Sequence, residues 1–479
     1  MPKKFYITTP IYYVNGVPHI GHTYTTVAAD VLARWHRLIG DDVFFLTGTD
    51  EHGAKIEEKA KEMKLKPQKY VDEIADKFKQ AWQELNISHN NFFRTTDKNH
   101  IKAVQKALQF MYDKGDIYLS KYEGLYCRGC EQYKKNRDLV DGLCPDHKTV
   151  PEKMSEECYT FKLSKYQDKL LELIKKDKLQ ILPLNRKNEI VSFYEKEGLE
   201  DISFSRKNVN WGIPIPWDNS HTIYVWADAF LYYLTGLGWD GFTPLIKQDR
   251  GINFWPPQVQ LMSKDILRVH TTIWPAMLLS LGLPLSKTIF VHGYFSINGQ
   301  KMSKSIGNVI VPNDLIKKYG VDATRYLIMS AAVFGSDGDI SRQQFDEKYN
   351  ADLANGLGNL VARVSNLLEK NNLELNLKIN SNKKLIREYK EKMLGFKFDE
   401  VLKSLWQKLR TADEILSDKK PWKLEDKKEI KNILEPVAED LLNVASLLKP
   451  FMPTVAEKII KQFSVKQIKK SQSLFPRIN

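Results

Sequence analysis

The 479-residue chain contains little cysteine and no long apolar run. Four cysteines are too few for a disulfide framework in a chain of this length, which excludes the small secreted scaffolds that depend on such cross-links. No apolar stretch approaches the ~18 residues that a membrane-spanning helix requires. The first residues lead directly into a strand-like segment at Phe5, with no apolar or Arg- and Ser-rich presequence before it. These absences predict a cytoplasmic, globular protein.

Acidic residues are outnumbered, with 59 Asp and Glu against 72 Lys and Arg and a formal net charge of +13. A basic surplus favours polyanionic partners such as nucleic acid. Much of it is lysine scattered along predicted helices, so on charge alone a solvated, lysine-rich surface is an equal alternative. The length fits about three domains of ordinary size.

The order of the patterned segments predicts an α/β fold with a doubly wound, parallel, Rossmann-like sheet. Phe5–Tyr13 is rich in aromatic and β-branched residues, a helix follows at about Gly21–Leu38, and Val43–Leu46 reads as a buried strand. This βαβ order is typical of parallel sheets. Beyond about Tyr349 the pattern becomes helical, which predicts a helical bundle. Further strands are predicted at Thr222–Trp226, Val259–Met262 and Thr288–Val291, and further helices at 67–84 and 100–114.

Two histidines stand where the loop after the first strand opens the first helix, in the segment His19-Ile20-Gly21-His22. A helix N-terminus presents free backbone N–H groups and a partial positive charge, which suit the phosphates of ATP. Gly21 would let a nucleotide approach the backbone closely. Both histidines could donate hydrogen bonds to a phosphorus centre as charge develops on it. A metal-binding pair or two surface histidines are the alternatives.

A second basic motif, Lys301-Met302-Ser303-Lys304-Ser305, has glycines on both sides, which predicts a mobile loop. Its two lysines could neutralise the outer phosphates of ATP as pyrophosphate leaves, although a solvated loop is the commoner meaning of such a pattern. The two motifs, in this order, resemble the His-Ile-Gly-His and Lys-Met-Ser-Lys-Ser signatures of class I aminoacyl-tRNA synthetases.

Four segments between the signatures narrow the resemblance to the methionyl-tRNA synthetases of bacterial type, from Tyr6 to about Pro453. These segments are Thr9–Gly16, Gly48–Gly53, Tyr224–Ala229 and Lys264–Ala276. The resemblance implies methionine–tRNA ligase activity: ATP activates methionine to methionyl-adenylate, and the methionyl group passes to the 2′-hydroxyl of the terminal adenosine of tRNA(Met), initiator and elongator.

The resemblance also implies which residues enclose the methionine side chain: Ile11, Tyr13, Trp226, Ala229, Tyr233, Ile266, His270 and Trp274. Asp50 would pair with the methionine ammonium group, and Arg206 would contact the reacting carboxylate or phosphate. A thioether beside aromatic rings gains roughly 0.3–1.5 kcal/mol per contact. A Tyr hydroxyl or a His N–H aimed at the sulfur would add polar selectivity. Ordinary core packing is the alternative for each aromatic residue.

For ATP, accompanied by Mg²⁺, the resemblance implies contacts from seven residues: His19, Gly21, His22, Asp265, Lys301, Ser303 and Lys304. His19, His22, Lys301 and Lys304 would stabilise the transition state as the methionine carboxylate attacks the α-phosphate in line, so positioning and electrostatics supply most of the rate. The family usually has glycine before the Lys-Asp-Ile segment, where Ser263 stands here. If that position needs positive φ or close ribose packing, serine would cost about 1 kcal/mol.

Three of the cysteines form a metal-like pattern, with Cys127-x2-Cys130 followed by Cys144-x2-His147. Two turns that carry paired ligands suit tetrahedral Zn²⁺ held by three thiolates and one imidazole, and a site with four protein ligands is structural. Reduced free cysteines are the alternative. Cys158 is left over and is expected to be an ordinary thiol.

The helix starting near Leu353 carries Asn355, Asn359, Arg363 and Asn366 on one stripe and leucines and valines on the other. The resemblance implies that Asn359 and Arg363 read anticodon bases and that Trp422 stacks on one. A polar stripe is otherwise usually a solvated face. The chain stops shortly after the bundle, without the C-terminal module that some family members carry, so a monomer is expected.

The resemblance divides the chain into five segments: the first half of the catalytic domain (1–114), a connective insertion (115–217) with the zinc knuckle (124–150), the second catalytic half (218–330), a stem-contact linker (331–350) and an α-helical anticodon-binding domain (351–479). A synthetase for leucine, isoleucine or valine would need a larger editing insertion, and a cysteine enzyme would hold zinc in its catalytic pocket. A non-catalytic RNA-binding module is a further alternative, which the two intact motifs disfavour.

Overall fold

The computed structural model describes residues 2–130, 132–134, 136–207, 209–242, 252–301, 309–379 and 383–478. Its strands are, in chain order, β1 (Lys4–Tyr13), β2 (Asp42–Asp50), β3 (Asn91–Arg94), β4 (Ile117–Cys127), β5 (Gln132–Lys134), β6 (Glu152–Phe161), β7 (Gln180–Leu182), β8 (Ile202–Ser203), β9 (Ser205–Arg206), β10 (Pro214–Ile215), β11 (Asp218–Ile223), β12 (Val259–Ser263), β13 (Thr288–His292), β14 (Phe295–Ile297), β15 (Gln300–Lys301) and β16 (Gly338–Ile340).

The α-helices are α1 (Ile20–Leu38), α2 (Ala54–Glu62), α3 (Pro67–Glu84), α4 (Lys98–Asp113), α5 (Gln167–Lys175), α6 (Leu184–Lys196), α7 (Val225–Ala229), α8 (Tyr232–Thr235), α9 (Leu267–Thr271), α10 (Ile273–Ser280), α11 (Pro312–Tyr319), α12 (Val321–Met329), α13 (Arg342–Lys348), α14 (Asn359–Lys370), α15 (Lys383–Leu394), α16 (Phe398–Lys419), α17 (Lys427–Leu448) and α18 (Pro453–Phe463). A π-helical stretch spans Tyr349–Gly358, and single 3₁₀ turns span Asn136–Asp138, Leu163–Tyr166, Ile252–Phe254, Lys264–Ile266 and Pro421–Lys423. Within the described part of the chain, every helix is too short or too polar to span a lipid bilayer.

The chain divides into two compact units, called here the first and the second unit. The first unit comprises Met1–Pro18, Asp41–Gln80 and His89–Val291, and the second comprises His19–Gly40, Ala81–Ser88 and His292–Asn479. Each unit is therefore built from segments that are distant in the chain.

A six-stranded sheet forms the centre of the first unit, in the order β3-β2-β1-β12-β13-β7. β1 pairs in parallel with β2 and with β12, and β13 pairs in parallel with β7. β1 is almost entirely buried, as expected for a parallel strand with both faces covered. The predicted Rossmann-like parallel sheet is confirmed, and so are the strands at β1, β2, β12 and β13.

One predicted strand is partly wrong. The pattern at Thr222–Trp226 predicts a continuous strand, but β11 ends at Ile223 and α7 begins at Val225. A short apolar run cannot distinguish a buried strand from a buried helix by periodicity alone. The break turns Trp226 and Ala229 onto a helix, which determines how they reach their neighbours.

Two smaller sheets complete the strands of the first unit. β4 and β6 form a long antiparallel ladder, from Ile117 opposite Phe161 to Tyr126 opposite Glu152, within a sheet ordered β5-β4-β6-β8. The ladder ends at the loops that carry the cysteines. A second sheet, β10-β11-β9, leads into α7.

The second unit contains α1, the small sheet β15-β14-β16 and the helices from α11 onward, which confirms the predicted helical C-terminal region. Arg325 on α12 is fully buried here, pairs with Asp30 of α1 at 2.7 Å, and donates to the carbonyl groups of Phe451, Pro450 and Leu85. The predicted two-sided helix is also confirmed. Its apolar positions (Leu353, Leu357, Leu360, Val361, Val364 and Leu368) are buried, and Asn355, Asn359 and Asn366 are exposed.

Candidate functional site

An aromatic cluster in the first unit brings together four of the residues expected around methionine. Phe230 stacks on Trp274 with ring centroids 5.7 Å apart, meets His270 edge-on at 5.0 Å, and lies 5.3 Å from Trp226. Tyr233 lies 5.6 Å from Trp274. We call Trp226, Phe230, Tyr233, His270 and Trp274 the aromatic cluster.

Phe230 contacts three of the other four members, yet it is absent from the sequence-based set. A signal was available, because Phe230 follows Trp226 by four positions, the spacing that places two helical side chains on one face. That signal required α7 to be recognised as a helix rather than a strand.

The other members of the predicted set lie on neighbouring elements of the same unit. Ile11 and Tyr13 are on β1, Ile266 ends the 3₁₀ turn before α9, and all three pack against the hydrophobic core that includes Phe230 and Tyr233. Ala229 is buried on α7. Asp50 ends β2, where it is the register partner of Tyr13 and is almost fully buried. A buried carboxylate at the end of a parallel strand is suited to an ammonium group.

Two polar side chains of the cluster form a hydrogen-bond chain. The His270 Nδ1 atom lies 2.8 Å from the Ile266 carbonyl oxygen, and its Nε2 atom lies 2.9 Å from the Tyr233 hydroxyl. A carbonyl only accepts, so Nδ1 carries the hydrogen and Nε2 accepts from Tyr233. Burial lowers the pKa of His270 to about 4, against a smaller opposite effect of its hydrogen bond to Ile266. The imidazole is therefore neutral at pH 7.

This hydrogen-bond chain involves two of the groups expected to point a hydrogen at the thioether sulfur, the Tyr233 hydroxyl and the His270 N–H. Both hydrogens are used within the protein, one by Ile266 and one by His270. The pattern of residue types could not show this, because the partner of each hydrogen is set by tertiary packing.

On the helix that carries Trp226, a buried carboxylate connects α7 to two other segments of the first unit. Asp228 on α7 lies 2.7 Å from His52 Nδ1 and 2.7 Å from His100 Nε2, and His100 Nδ1 lies 2.8 Å from the Thr235 hydroxyl. Burial alone would raise the pKa of Asp228, but its interactions with His52 and His100 outweigh that effect and lower the pKa to about 2. Sequence reasoning missed this network, which links the residues after Asp50 to the helix that carries Trp226.

Arg206 lies on β9 in the first unit, with its guanidinium 4.3 Å from the ring centre of Tyr224 and 5.4 Å from that of Tyr126. It donates to the Ser203 hydroxyl at 3.0 Å and to the Ser205 carbonyl at 2.7 Å. Arg206 also lines a small cavity with Gly53, Ala54, Trp211 and Tyr224. Aromatic faces and fixed acceptors hold the planar cation in one orientation.

Asp265 is exposed at the turn after β12, and its carboxylate accepts a hydrogen bond from the Ser263 hydroxyl. Ser263 has φ −83° and ψ 163°, an ordinary extended conformation. The backbone cost considered for serine at this position therefore does not arise, because no positive φ is needed there.

In the second unit, His19 and His22 form the N-terminus of α1. The His19 Nδ1 atom accepts from the Gly21 N–H at 3.1 Å, and the His22 Nδ1 atom accepts from the His19 N–H at 3.3 Å, which is a capping box built from two imidazoles. The two rings stack with centroids 3.9 Å apart. Because each Nδ1 accepts, the hydrogen of each neutral ring lies on Nε2, where it can be donated to a ligand.

The structure gives a second reason for glycine at position 21, in addition to the expected approach of a nucleotide. A Cβ atom at this position would lie 3.0 Å from the His19 ring, so a larger residue would push that ring aside. The conformation of the histidine pair and the glycine between them are thus linked.

Only part of the second motif can be placed. Lys301 ends β15, which pairs with β14, while Ser303 and Lys304 lie outside the described residues. After them, the Ile310 carbonyl accepts from the Ile20 N–H at 2.9 Å, which ties the segment that follows the second motif to the start of α1. The Asp339 carboxylate accepts from the Gly299 N–H at 2.8 Å on the other side of the motif.

The four predicted metal ligands come together in the first unit. One ligand atom from each of Cys127, Cys130, Cys144 and His147 lies within 4.8 Å of all the others. The Cys130 and Cys144 sulfur atoms are 3.5 Å apart, and His147 Nδ1 is 3.3 Å from the Cys130 sulfur and 3.9 Å from the Cys144 sulfur. All cysteines are free thiols, including the buried Cys158.

The predicted base-reading residues lie in the second unit. Asn359 is exposed on α14, and the Arg363 guanidinium on the same helix lies 5.3 Å from the ring centre of Trp422, which is 44% exposed. Arg363 also forms an ion pair with Asp413 of α16, a residue that sequence reasoning missed. No local pattern marks this partner, because α14 and α16 are far apart in the chain.

Comparison with known proteins gives one consistent result. Residues 5–150 and 146–365 match the family model described as tRNA synthetases class I (M), and residues 379–477 match the anticodon-binding domain of tRNA ligase. A methionine–tRNA ligase from Clostridium acetobutylicum is 42% identical over 100% of this chain and 78% of its own length, and one from Streptomyces coelicolor is 40% identical over 95% and 89%.

Solved structures agree with these sequence matches. A structure of Mycobacterium tuberculosis methionyl-tRNA synthetase in complex with methionyl-adenylate has a TM-score of 0.92 and 34% identity, with 99% of this chain and 100% of that chain covered. The apo form of the same enzyme has a TM-score of 0.84 and 31% identity.

Proposed function

This chain belongs to the class I methionyl-tRNA synthetases, and from that premise we propose how its residues divide the work of a methionine–tRNA ligase. In the first step a methionine carboxylate oxygen attacks the α-phosphorus of ATP, the bond to the bridging oxygen breaks, and pyrophosphate leaves. In the second step the terminal ribose 2′-hydroxyl of tRNA attacks the methionyl carbonyl, loses its proton, and releases AMP.

The methionine side chain binds at the aromatic cluster, with Ile11, Tyr13, Ala229 and Ile266 as apolar neighbours and Asp50 as the partner of the ammonium group. The observation that carries this proposal is the meeting of Trp226, Tyr233, His270 and Trp274 with Phe230 in one aromatic cluster. The Tyr233 hydroxyl and the His270 N–H are donated within the protein, whereas the buried Trp274 indole N–H has no hydrogen-bond partner among the described residues. Shape and the polarisable sulfur against aromatic rings, at about 0.3–1.5 kcal/mol per contact, contribute to selectivity.

Methionine-dependent ATP–pyrophosphate exchange tests this assignment. Phe230→Ala should raise KM for methionine at least about tenfold, because loss of a well-packed aromatic anchor costs about 2 kcal/mol or more. KM for ATP should change little. Phe451→Ala is the matched control, since it removes a buried phenylalanine from the second unit. Exchange driven by leucine or cysteine but not by methionine would overturn the assignment.

The phosphates of ATP are bound by His19 and His22 through their Nε2–H groups, with Gly21, Asp265, Lys301, Ser303 and Lys304 as the further ATP contacts. Support comes from the capping box, which fixes both tautomers with the donating nitrogen away from the helix. Mg²⁺ accompanies the triphosphate, and Arg206 orients the reacting carboxylate or phosphate from its place on Tyr224. No side chain acts as a nucleophile.

A substitution can separate capping from phosphate binding at this helix start. His19→Asn keeps an oxygen that accepts from the Gly21 N–H, so α1 should stay capped, but it removes the Nε2–H donor. We expect kcat in the exchange reaction to fall about 10²–10³-fold, as when one preorganised donor is lost from a transition state. KM for methionine should stay near the wild-type value. An unchanged kcat would assign His19 to capping alone.

Zn²⁺ is held by Cys127, Cys130, Cys144 and His147. With Zn–S at about 2.3 Å and Zn–N at about 2.0 Å, tetrahedral ligand atoms lie about 3.5–3.8 Å from one another, close to the three distances within this group. Gly129 fits the same arrangement, because a Cβ atom there would lie 2.4 Å from the His147 ring. When bound, zinc would cross-link the two loops and take no part in the chemistry. The thiolates need a reducing compartment, which supports the predicted cytoplasmic location.

Metal content measured by mass spectrometry tests the zinc site independently of activity. Wild-type protein should carry about one zinc per chain, and Cys144→Ser should lose it and unfold at a lower temperature. Cys158→Ser is the matched control and should keep its metal. Equal zinc content in both variants would exclude the proposed ligand set.

The residues Asn359, Arg363 and Trp422 read the anticodon of tRNA(Met), initiator and elongator, with Trp422 as the stacking surface. Support comes from the half-exposed indole beside a guanidinium, a pairing suited to an unstacked base. The predicted domain boundaries (1–114, 115–217, 218–330, 331–350 and 351–479) and the predicted monomer belong to this proposal as well. Trp422→Ala should raise KM for tRNA about 5- to 150-fold, because stacking contributes about 1–3 kcal/mol per base.

A further inference from the structure

Arg363 is held from two sides in the second unit. Its guanidinium forms an ion pair with Asp413 of α16 and lies 5.3 Å from the ring centre of Trp422. Trp422 sits in the 3₁₀ turn Pro421–Lys423, which follows the left-handed residue Lys420 (φ 47°) at the end of α16. The three side chains thus come from α14, from α16 and from the turn after α16.

These side chains are only partly covered. The exposed fractions are 29% for Arg363, 46% for Asp413 and 44% for Trp422. An ion pair this exposed contributes little to stability. A carboxylate beside residues that bind RNA also repels phosphate groups, in a chain whose net charge is +13. Neither stability nor general attraction of RNA therefore explains a carboxylate at position 413.

The flexibility of the arginine side chain offers an explanation for Asp413. A free Arg363 side chain would sample many rotamers, and ordering them on binding would weaken RNA affinity. An arginine has five N–H donors, and the ion pair with Asp413 engages one Nη atom, so donors remain for the edge of a base. A guanidinium that is already fixed beside the indole offers a base a stacking face and hydrogen-bond donors in one geometry.

We infer that Asp413 is a positioning residue for anticodon recognition: it fixes the Arg363 guanidinium beside Trp422 before tRNA binds. The inference rests on the proposed anticodon-reading role of Arg363 and Trp422. It adds a residue that does not touch the base itself and acts through its partner.

Aminoacylation of tRNA(Met) tests the inference, with Asp413→Asn compared against Glu414→Gln. Glu414 is the next residue of α16, is exposed, and loses the same charge on substitution. Any general electrostatic gain in RNA affinity should therefore be shared by the two variants. Asp413→Asn should raise KM for tRNA about three- to tenfold relative to Glu414→Gln, as expected for releasing one long side chain. Asp413→Glu should restore part of the loss.

A double-mutant cycle gives the second readout. In an Arg363→Ala background, Asp413→Asn should have no further effect on KM for tRNA, because the residue it positions is gone. A purely structural role would instead lower the melting temperature and show the same effect in both backgrounds.

The possible failures are distinguishable. If Trp422→Ala leaves KM for tRNA unchanged, the anticodon-reading proposal itself fails. If Trp422→Ala raises KM but Asp413→Asn matches Glu414→Gln, only the positioning role of Asp413 is overturned.

Discussion

Asp228 in the first unit and Asp413 in the second both accept a hydrogen bond from a basic side chain, but their surroundings differ. The Asp228 side chain is 1% exposed and bridges two histidines, whereas that of Asp413 is 46% exposed and meets one arginine. Asp228 lies on the helix that carries Trp226 of the aromatic cluster, which in the proposed function binds a small molecule. Asp413 lies at a partly exposed surface, where in the proposed function a base reaches Arg363. An aspartate that accepts from a basic side chain thus supports internal packing when it is buried, and we infer that it orients its partner for a ligand when it is exposed.

Arg325 allows the effect of burial on stability to be tested apart from the effect of the unit, because its side chain is fully buried although it lies in the second unit. Arg325→Ala should lower the free energy of unfolding by about 3–5 kcal/mol, since it leaves Asp30 and three carbonyl groups without that donor. Chemical denaturation measures the loss. Arg410→Ala removes an exposed arginine of the same unit and should change stability by less than about 0.5 kcal/mol. Equal losses of unfolding free energy in the two variants would show that burial does not determine how much an arginine contributes to stability.

The pH dependence of the free energy of unfolding extends the comparison to His270, a second buried titratable residue of the first unit. Its pKa is about 4 when folded, below the value of about 6.5 expected for the unfolded chain. As the pH falls from about 6.5 to about 4, the unfolded chain takes up the proton first. The free energy of unfolding should therefore decrease by about 3 kcal/mol across this window. Denaturation of His270→Gln at pH 7 and pH 4.5 supplies the control, and an identical pH dependence in both proteins would contradict the assignment.

Asp228→Asn should lower the free energy of unfolding by about 1–3 kcal/mol, because an amide NH₂ would face a histidine donor and leave one buried group unsatisfied. KM for methionine should rise as well, since α7 carries both Asp228 and Trp226. Asp113→Asn, an exposed substitution on α4, is the control for the change in charge. A stability loss with no change in KM would limit Asp228 to a structural role.

The smallest effect is expected at Asp413. Asp413→Ala should lower the free energy of unfolding by less than about 1 kcal/mol, and the difference should shrink as salt is added. Thermal unfolding at low and high ionic strength measures both. A larger, salt-independent loss would mean that this ion pair contributes to the core and would remove the contrast with Asp228.

Much of the fold followed from local patterns. The strands at β1, β2, β12 and β13 and the helix at Ile20–Leu38 were predicted because short runs of apolar, aromatic and β-branched residues favour buried strands and a longer apolar segment favours a helix. The same patterning failed at α7, where five residues are too few for a helical period to show. Because α7 was predicted as a strand, Phe230 was not recognised as a member of the aromatic cluster.

The sequence by itself determined which chemical groups are available and roughly where they stand along the chain: two histidines at a helix start, paired cysteines in turns, and amides opposite a leucine stripe. These depend on neighbours within a few positions, so a single chain of letters carries them. Tertiary structure alone decided the partners: His270 with Tyr233, Asp228 with His52 and His100, Arg363 with Asp413. A hydrogen bond between distant segments depends on how whole elements pack, and no local spacing records that packing.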